Sequence, residues 1–209
     1  MTRLLWTSVI AVALVAMTAM AKEIESVRTV PDFKRVSING GLDAEIVSGV
    51  AQSVVIIADD EVQKQIETEV KGDTLVIRMR GNFNNVGDIR AKIGVASLEA
   101  LKINGSSDVT MTGIDSEEFA IEINGSGDVR ATGKCGSARY ETNGSGDIDA
   151  TALRCRDVDI EISGSGDMDI YASGALNVSI SGSGDVTASG DPSVKRVRTS
   201  GSGSFSTRN

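Results

Sequence analysis

The 209-residue chain contains no histidine. That removes the usual general base at neutral pH and the commonest side-chain ligand for transition metals. Aromatic residues make up only 3% of the chain. Any core must therefore be built from Val, Ile, Leu and Ala, which suits flat, repeated layers. Few rings remain to stack on sugars or bases. With only two prolines and 40% hydrophobic residues, the chain has the means to fold. The formal net charge is −8. A nucleic-acid-binding protein needs a basic footprint to displace counterions from phosphates, and none is visible. An anionic membrane surface is unfavourable on the same ground. Only two cysteines occur, with no C-x-x-C redox motif and no metal-type cysteine spacing.

The first 21 residues have the layout of an export signal. Arg3 supplies a positive start, and an apolar run extends from Leu4 to Met17. Ala19-Met20-Ala21 completes an A-x-A cleavage pattern, so cleavage is expected after Ala21. The alternative is an uncleaved anchor, but the run is short for a span of about 20 residues. No cysteine adjoins the site, so no lipid anchor is expected. No other segment is long and apolar enough to cross a membrane as a helix. The mature chain, from Lys22, is expected in the periplasm or at the cell surface, with no stable membrane insertion.

Six copies of one short motif organise the second half. They begin at Gly105, Gly125, Gly144, Gly164, Gly182 and Gly201, spaced 18–20 residues apart, and most read Gly-Ser-Gly-Asp. A fixed period of this size means stacked units. Two positions before each glycine stand Ile103, Ile123, Thr142, Ile162, Ile180 and Thr199. Four positions after it stand Val109, Val129, Ile148, Met168, Val186 and Phe205. Polar residues alternate with these, such as Lys102, Glu122, Glu141 and Glu161. Period-two alternation means strands with one buried face. Each copy reads as strand, glycine corner, strand and return. One copy cannot bury its own apolar face, whereas copies stacked about 4.8 Å apart can. The expected fold is an all-β, right-handed parallel β-helix of about six regular rungs over 101–209. Residues 22–100 read as irregular β coils that continue the solenoid and cap its first end. A separate small β-domain is the alternative there. Asp59 to Ile66 could form a helical turn or two, with Asp59 as N-cap.

Cys135 and Cys155 lie one repeat apart, at nearly the same place in neighbouring copies. Stacked strands bring such positions within disulfide range, and export supplies an oxidising compartment. A disulfide is expected, with two buried thiols as the alternative. The motif aspartates, Asp108, Asp128, Asp147, Asp167 and Asp185, form a ladder. The structural reading is an Asx-type turn, each carboxylate accepting from corner N–H groups. The alternative is a divalent cation, for which Asp147, Asp149, Asp167 and Asp169 are the candidates, because like charges one rung apart repel by roughly 1 kcal/mol even in water. No cofactor is expected.

The phrases I-N-G-S-G-D-V at Ile123 to Val129 and I-S-G-S-G-D-V at Ile180 to Val186 carry a family likeness. So do the upstream strands Phe33 to Ile38 and Leu75 to Ile77. Together they resemble the bacterial family named putative auto-transporter adhesin, head GIN domain, over roughly Val30 to Phe205. The resemblance implies an exported β-helix with an adhesive role and supplies no catalytic residues. The expected function is therefore a non-enzymatic adhesin, surface-interaction or scaffold module of the cell envelope. A calcium- or polysaccharide-binding envelope protein is the alternative. A polysaccharide-cleaving enzyme would need acids or bases of perturbed pKa in a groove, and the minimal rungs offer no such site. A surface protein or glycan is the expected partner. The last rung, with Val197, Thr199 and Phe205 near an open end, suggests homo-association by end or edge.

Overall fold

A computed structural model describes residues 23–81 and 88–208. The expected export signal and its cleavage after Ala21 lie outside the described residues. The chain begins with β1 (Glu23–Val27), β2 (Arg35–Gly40), β3 (Asp43–Ser48) and β4 (Ser53–Asp59). A short α1 (Asp60–Gln63) follows, then β5 (Ile66–Lys71), β6 (Thr74–Met79) and β7 (Arg90–Val95). The regular part runs through β8 (Ala100–Gly105), β9 (Val109–Gly125), β10 (Val129–Gly144) and β11 (Ile148–Gly164). It closes with β12 (Met168–Ala172), β13 (Ala175–Gly182), β14 (Val186–Ser189), β15 (Val194–Gly201) and β16 (Phe205–Thr207).

From β8 onward every pairing is parallel and joins one repeat to the next. The register follows the motif: Gly105, Gly125, Gly144, Gly164, Gly182 and Gly201 stack in one column. This is the parallel β-helix that the repeat predicts. The alternation explains why it holds. Leu101 and Ile103 are buried while Lys102 between them is exposed, and the following rungs repeat the burial of the inward pair as far as Val178 and Ile180. One continuous cluster of buried side chains runs from Phe33 to Ala188.

The first half departs from chain order. β2 pairs in parallel with both β6 and β8, and β3 with both β7 and β9. The rung made of β2 and β3 therefore lies between β6–β7 and β8–β9. The chain lays down an inner rung, builds the outer one, and then returns to stack on the inner rung's other side. The reason is local. Ile38-Asn39-Gly40-Gly41-Leu42-Asp43 is a degenerate corner copy, and its Gly40 meets Gly105. Beyond β6 and β7 the pairing turns antiparallel: β5 on β6, β4 on β7 and β1 on β4. The helix is a single turn, the shorter of the two lengths expected, with Asp59 at its N-cap position but without a side-chain cap bond. α1 instead buries Val62 and Gln63, and the Gln63 amide donates to the carbonyls of Ile24 and Ile56. It thereby ties β1 to β4 at the first end of the stack. At the other end, β15 pairs only with β13 and β16 only with β14 among the described residues, and Val197 is 40% exposed.

Candidate functional site

The stacked corners form the most regularly repeated polar feature of the described residues. Gly144 shows why they need glycine. Its φ is 145°, a region that side chains rarely adopt. A Cβ there would collide with the carbonyl oxygen of Gly125 in the rung below. The third motif position is equally crowded, since a Cβ on Gly146 would press on the Gly127 carbonyl. Ser107 is the exception at that position. Its rung rests on the degenerate corner, and its buried hydroxyl accepts from the Leu42 N–H and donates to the Gly40 carbonyl.

Two ladders flank the glycine column. On one side the Asn104 amide donates to Asn39 Oδ1 at 2.9 Å, Asn124 to Asn104 at 3.1 Å and Asn143 to Asn124 at 3.1 Å. On the other side each aspartate accepts the backbone N–H of the aspartate one rung on. The Asp108 N–H donates to Asp43, Asp128 to Asp108, Asp147 to Asp128, Asp167 to Asp147 and Asp185 to Asp167, at 2.7–3.1 Å. Ser204 ends the series, donating its N–H and its hydroxyl to Asp185. The carboxylates do hold corner N–H groups, but between rungs and not within a local Asx turn. Stacking places the next rung's N–H beside each carboxylate, and the extended backbone after the corner aims it there. Sequence reasoning missed Asn39 and Asp43, although the I-N-G-x-x-D spacing marks them.

The four cation candidates do not converge. Asp147 and Asp167 spend an oxygen each on the ladder. Asp149 accepts from the Thr151 hydroxyl and N–H and from Arg130, which together hold its carboxyl below the usual range. Asp169 faces Arg208 at 4.0 Å. Among the described residues, no three Cys, Asp or Glu side chains gather as a metal site requires. Each candidate carboxylate instead faces donors already on the chain.

Cys135 and Cys155 are directly opposite in register and form a disulfide, with Cα atoms 4.5 Å apart. The buried Tyr140 hydroxyl lies 3.8 Å from the Cys155 sulfur, and burial pushes the phenol well above its ordinary pKa. Next to it, Thr142 occupies an inward column filled by isoleucine in the rungs on either side, Ile123 and Ile162, and its buried hydroxyl has no hydrogen-bond partner among the described residues. An orphaned buried hydroxyl costs about 1–3 kcal/mol. Thr142→Val should therefore stabilise the fold by about 1 kcal/mol, read as a higher melting temperature. A lower one would show that the hydroxyl is satisfied.

A lateral groove of about 760 Å³ crosses five rungs. Its origin is one outward column, Arg35, Ala100, Ala120, Arg139 and Asp159, aligned strand by strand. Two alanines leave a trough between two arginines. Glu118 and the Ser116 to Phe119 backbone of β9 form its wall. Arg35 is held by Asp73 and Glu99, and Arg139 by Glu141 and Glu161. The lining is thus both charged and hydroxyl-bearing, with five carboxylates, Glu99, Asp115, Glu117, Glu118 and Asp159, against two arginines. Sequence reasoning missed this trough. Its signal was the pair of alanines, Ala100 and Ala120, flanked by Arg35 and Arg139 at the position five before the corner glycines.

Solved structures share this architecture. A protein described as a putative adhesin from Bacteroides fragilis superposes with a TM-score of 0.75 at 20% identity, covering 90% of this chain and 98% of that one. A second so described, from Parabacteroides distasonis, gives 0.59 at 18% identity, with 90% and 98% covered. A protein described as a putative lipid binding protein from the same species gives 0.55 at 20% identity, with 90% and 97% covered. At these identities the likeness is one of fold. No curated protein matches the chain. The family model for the putative auto-transporter adhesin, head GIN domain, matches residues 32–192. That span takes in every corner from Gly40 to Gly182, and the chain belongs to this family.

Proposed function

We propose that the mature chain is an adhesive binding module of the cell envelope, exported and non-enzymatic, which uses its rigid solenoid as a contact surface. The lateral groove carries this reading. It is a preformed trough whose side chains are held in place by rung-to-rung pairing, so little order need be gained on binding. Its rim of carboxylates, arginines and serine hydroxyls suits a polyhydroxylated or polar chain laid along the stack. Family membership supports the adhesive role.

The test is a glycan array and an envelope-fraction pull-down with the mature chain, run beside Ala120→Arg. An arginine is compatible with that strand, because Arg139 occupies the same column one rung on. It would fill the trough. Retention of a ligand by the native chain, reduced about tenfold or more by Ala120→Arg, is expected, as for loss of a central contact. Failure to retain any ligand, or retention indifferent to Ala120→Arg, overturns the reading.

A further inference from the structure

The asparagine ladder is chemically uneven along its length. Each of its four members stands directly before a corner glycine, at Asn39-Gly40, Asn104-Gly105, Asn124-Gly125 and Asn143-Gly144, and the chain holds no other Asn-Gly pair. Such a pair can close on itself. The glycine nitrogen attacks the side-chain carbonyl carbon of the asparagine, and with no Cβ on the glycine little crowds that approach. In an unfolded chain the four pairs are therefore nearly equivalent. Any difference between them comes from the fold.

The fold treats one of them differently. Ring closure needs the side-chain amide to leave its hydrogen bonds and swing onto the backbone, so its rate follows the local opening of the ladder. Asn39, Asn104 and Asn124 each have their Oδ1 held by the amide of the next rung, and all three are half-buried. Asn143 donates to Asn124 Oδ1 and to Glu141 Oε1, but no donor among the described residues reaches its own Oδ1. The register gives the reason: the next rung sets Ser163 opposite Asn143, so no further amide continues the series. Asn143 is also the one exposed member of the four. Its amide can turn away while the bonds from Asn39 through Asn104 to Asn124 stay closed. Moving Asn104 or Asn124 breaks the ladder on both sides.

We propose that Asn143 is the deamidation site of the folded chain. The Gly144 nitrogen bonds to Asn143 Cγ, and the side-chain nitrogen leaves as ammonia, carrying the proton that Gly144 gives up. Water then opens the cyclic imide, leaving an aspartate or its isomer with the main chain routed through the former side chain. The product has a carboxylate where two donated hydrogen bonds stood. It faces Asn124 Oδ1 and the Glu141 carboxylate with no proton to offer, so the end of the ladder opens. Asn124 becomes the new terminus, and deamidation advances one rung at a time.

Peptide mass spectrometry of the four sites, after incubation of the folded chain, is the test. Asn143 should convert at least about fivefold faster than Asn104 or Asn124, the factor that one net hydrogen bond is worth. In urea these three sites, all Asn-Gly-Ser, should react at matching rates. Ser163→Asn supplies the missing partner and should move the fast site. Conversion of Asn143 then slows by about fivefold, and the substituted position, itself followed by Gly164, becomes the fast one. Ser163 is exposed, so an unchanged melting temperature verifies the fold of that variant. Equal conversion of the three sites in the folded chain overturns the proposal, as does the same ranking in urea. An Asn143 rate that Ser163→Asn leaves unchanged overturns it too, and so does an inert Asn143 in a folded chain whose unfolded form reacts fully.

Discussion

Gly144→Ala should lower stability by about 4 kcal/mol, the sum of two separate costs. A side chain at a φ of 145° carries backbone strain of about 1–3 kcal/mol. The added Cβ must also displace the Gly125 carbonyl, and overpacking of this kind costs about 1–3 kcal/mol more. For a domain of this size that is roughly 10 °C in melting temperature. Ser145→Ala, one residue along and exposed, is the control and should stay within about 0.5 kcal/mol of the native chain. The position in the stack should matter too. A Cβ at Gly201 meets the Gly182 carbonyl just as closely, but no rung among those described lies beyond it. The last rung can move outward, so Gly201→Ala should cost well under half as much. Gly144→Ala melting with the native chain would remove the steric basis of the corner column.

Loss of the Cys135–Cys155 bond is the second large effect, expected at about 3 kcal/mol from the loop it closes. The bond joins two adjacent rungs at matching positions. In a solenoid each rung is held mainly by its neighbours, so the link counters separation of the stack where it lies. Reduction under native conditions should lower the melting temperature by about 6–12 °C. The double variant Cys135→Ala with Cys155→Ala should melt near the reduced chain and ignore reductant. It adds a small cost at Cys155, which is 1% exposed. A melting temperature indifferent to reductant in the native chain would show that the bridge contributes nothing, or is already open.

The repeat was legible because its signals are short-range. Alternation with period two assigns a face to each residue, and the recurring glycines set the register. That register in turn foretold the disulfide, since Cys135 and Cys155 sit one period apart. Less could be read upstream of residue 100. β1 and β5 carry no motif, and β5 begins at Ile66, where a helical reading competed. Asp59 does hold the N-cap position, with the extended backbone usual there (φ −64°, ψ 151°), but its side chain makes no bond to α1. The aspartate ladder was foreseen as a column but not in its bonding. A local turn and an inter-rung bond use the same residue, and only stacking decides which N–H is nearest.

The sequence by itself determined the parallel stack, the glycine corners, the inward aliphatic columns and the pairing of the two cysteines. Each depends on a period that any one repeat displays. The tertiary structure alone decided that the rung at Gly40 lies between β6–β7 and β8–β9. It also decided that two alanines between two arginines make a groove. These rest on pairings between residues up to 65 positions apart, such as Gly40 with Gly105. No local pattern specifies such pairings, because strands that bury the same face can exchange neighbours without changing their alternation.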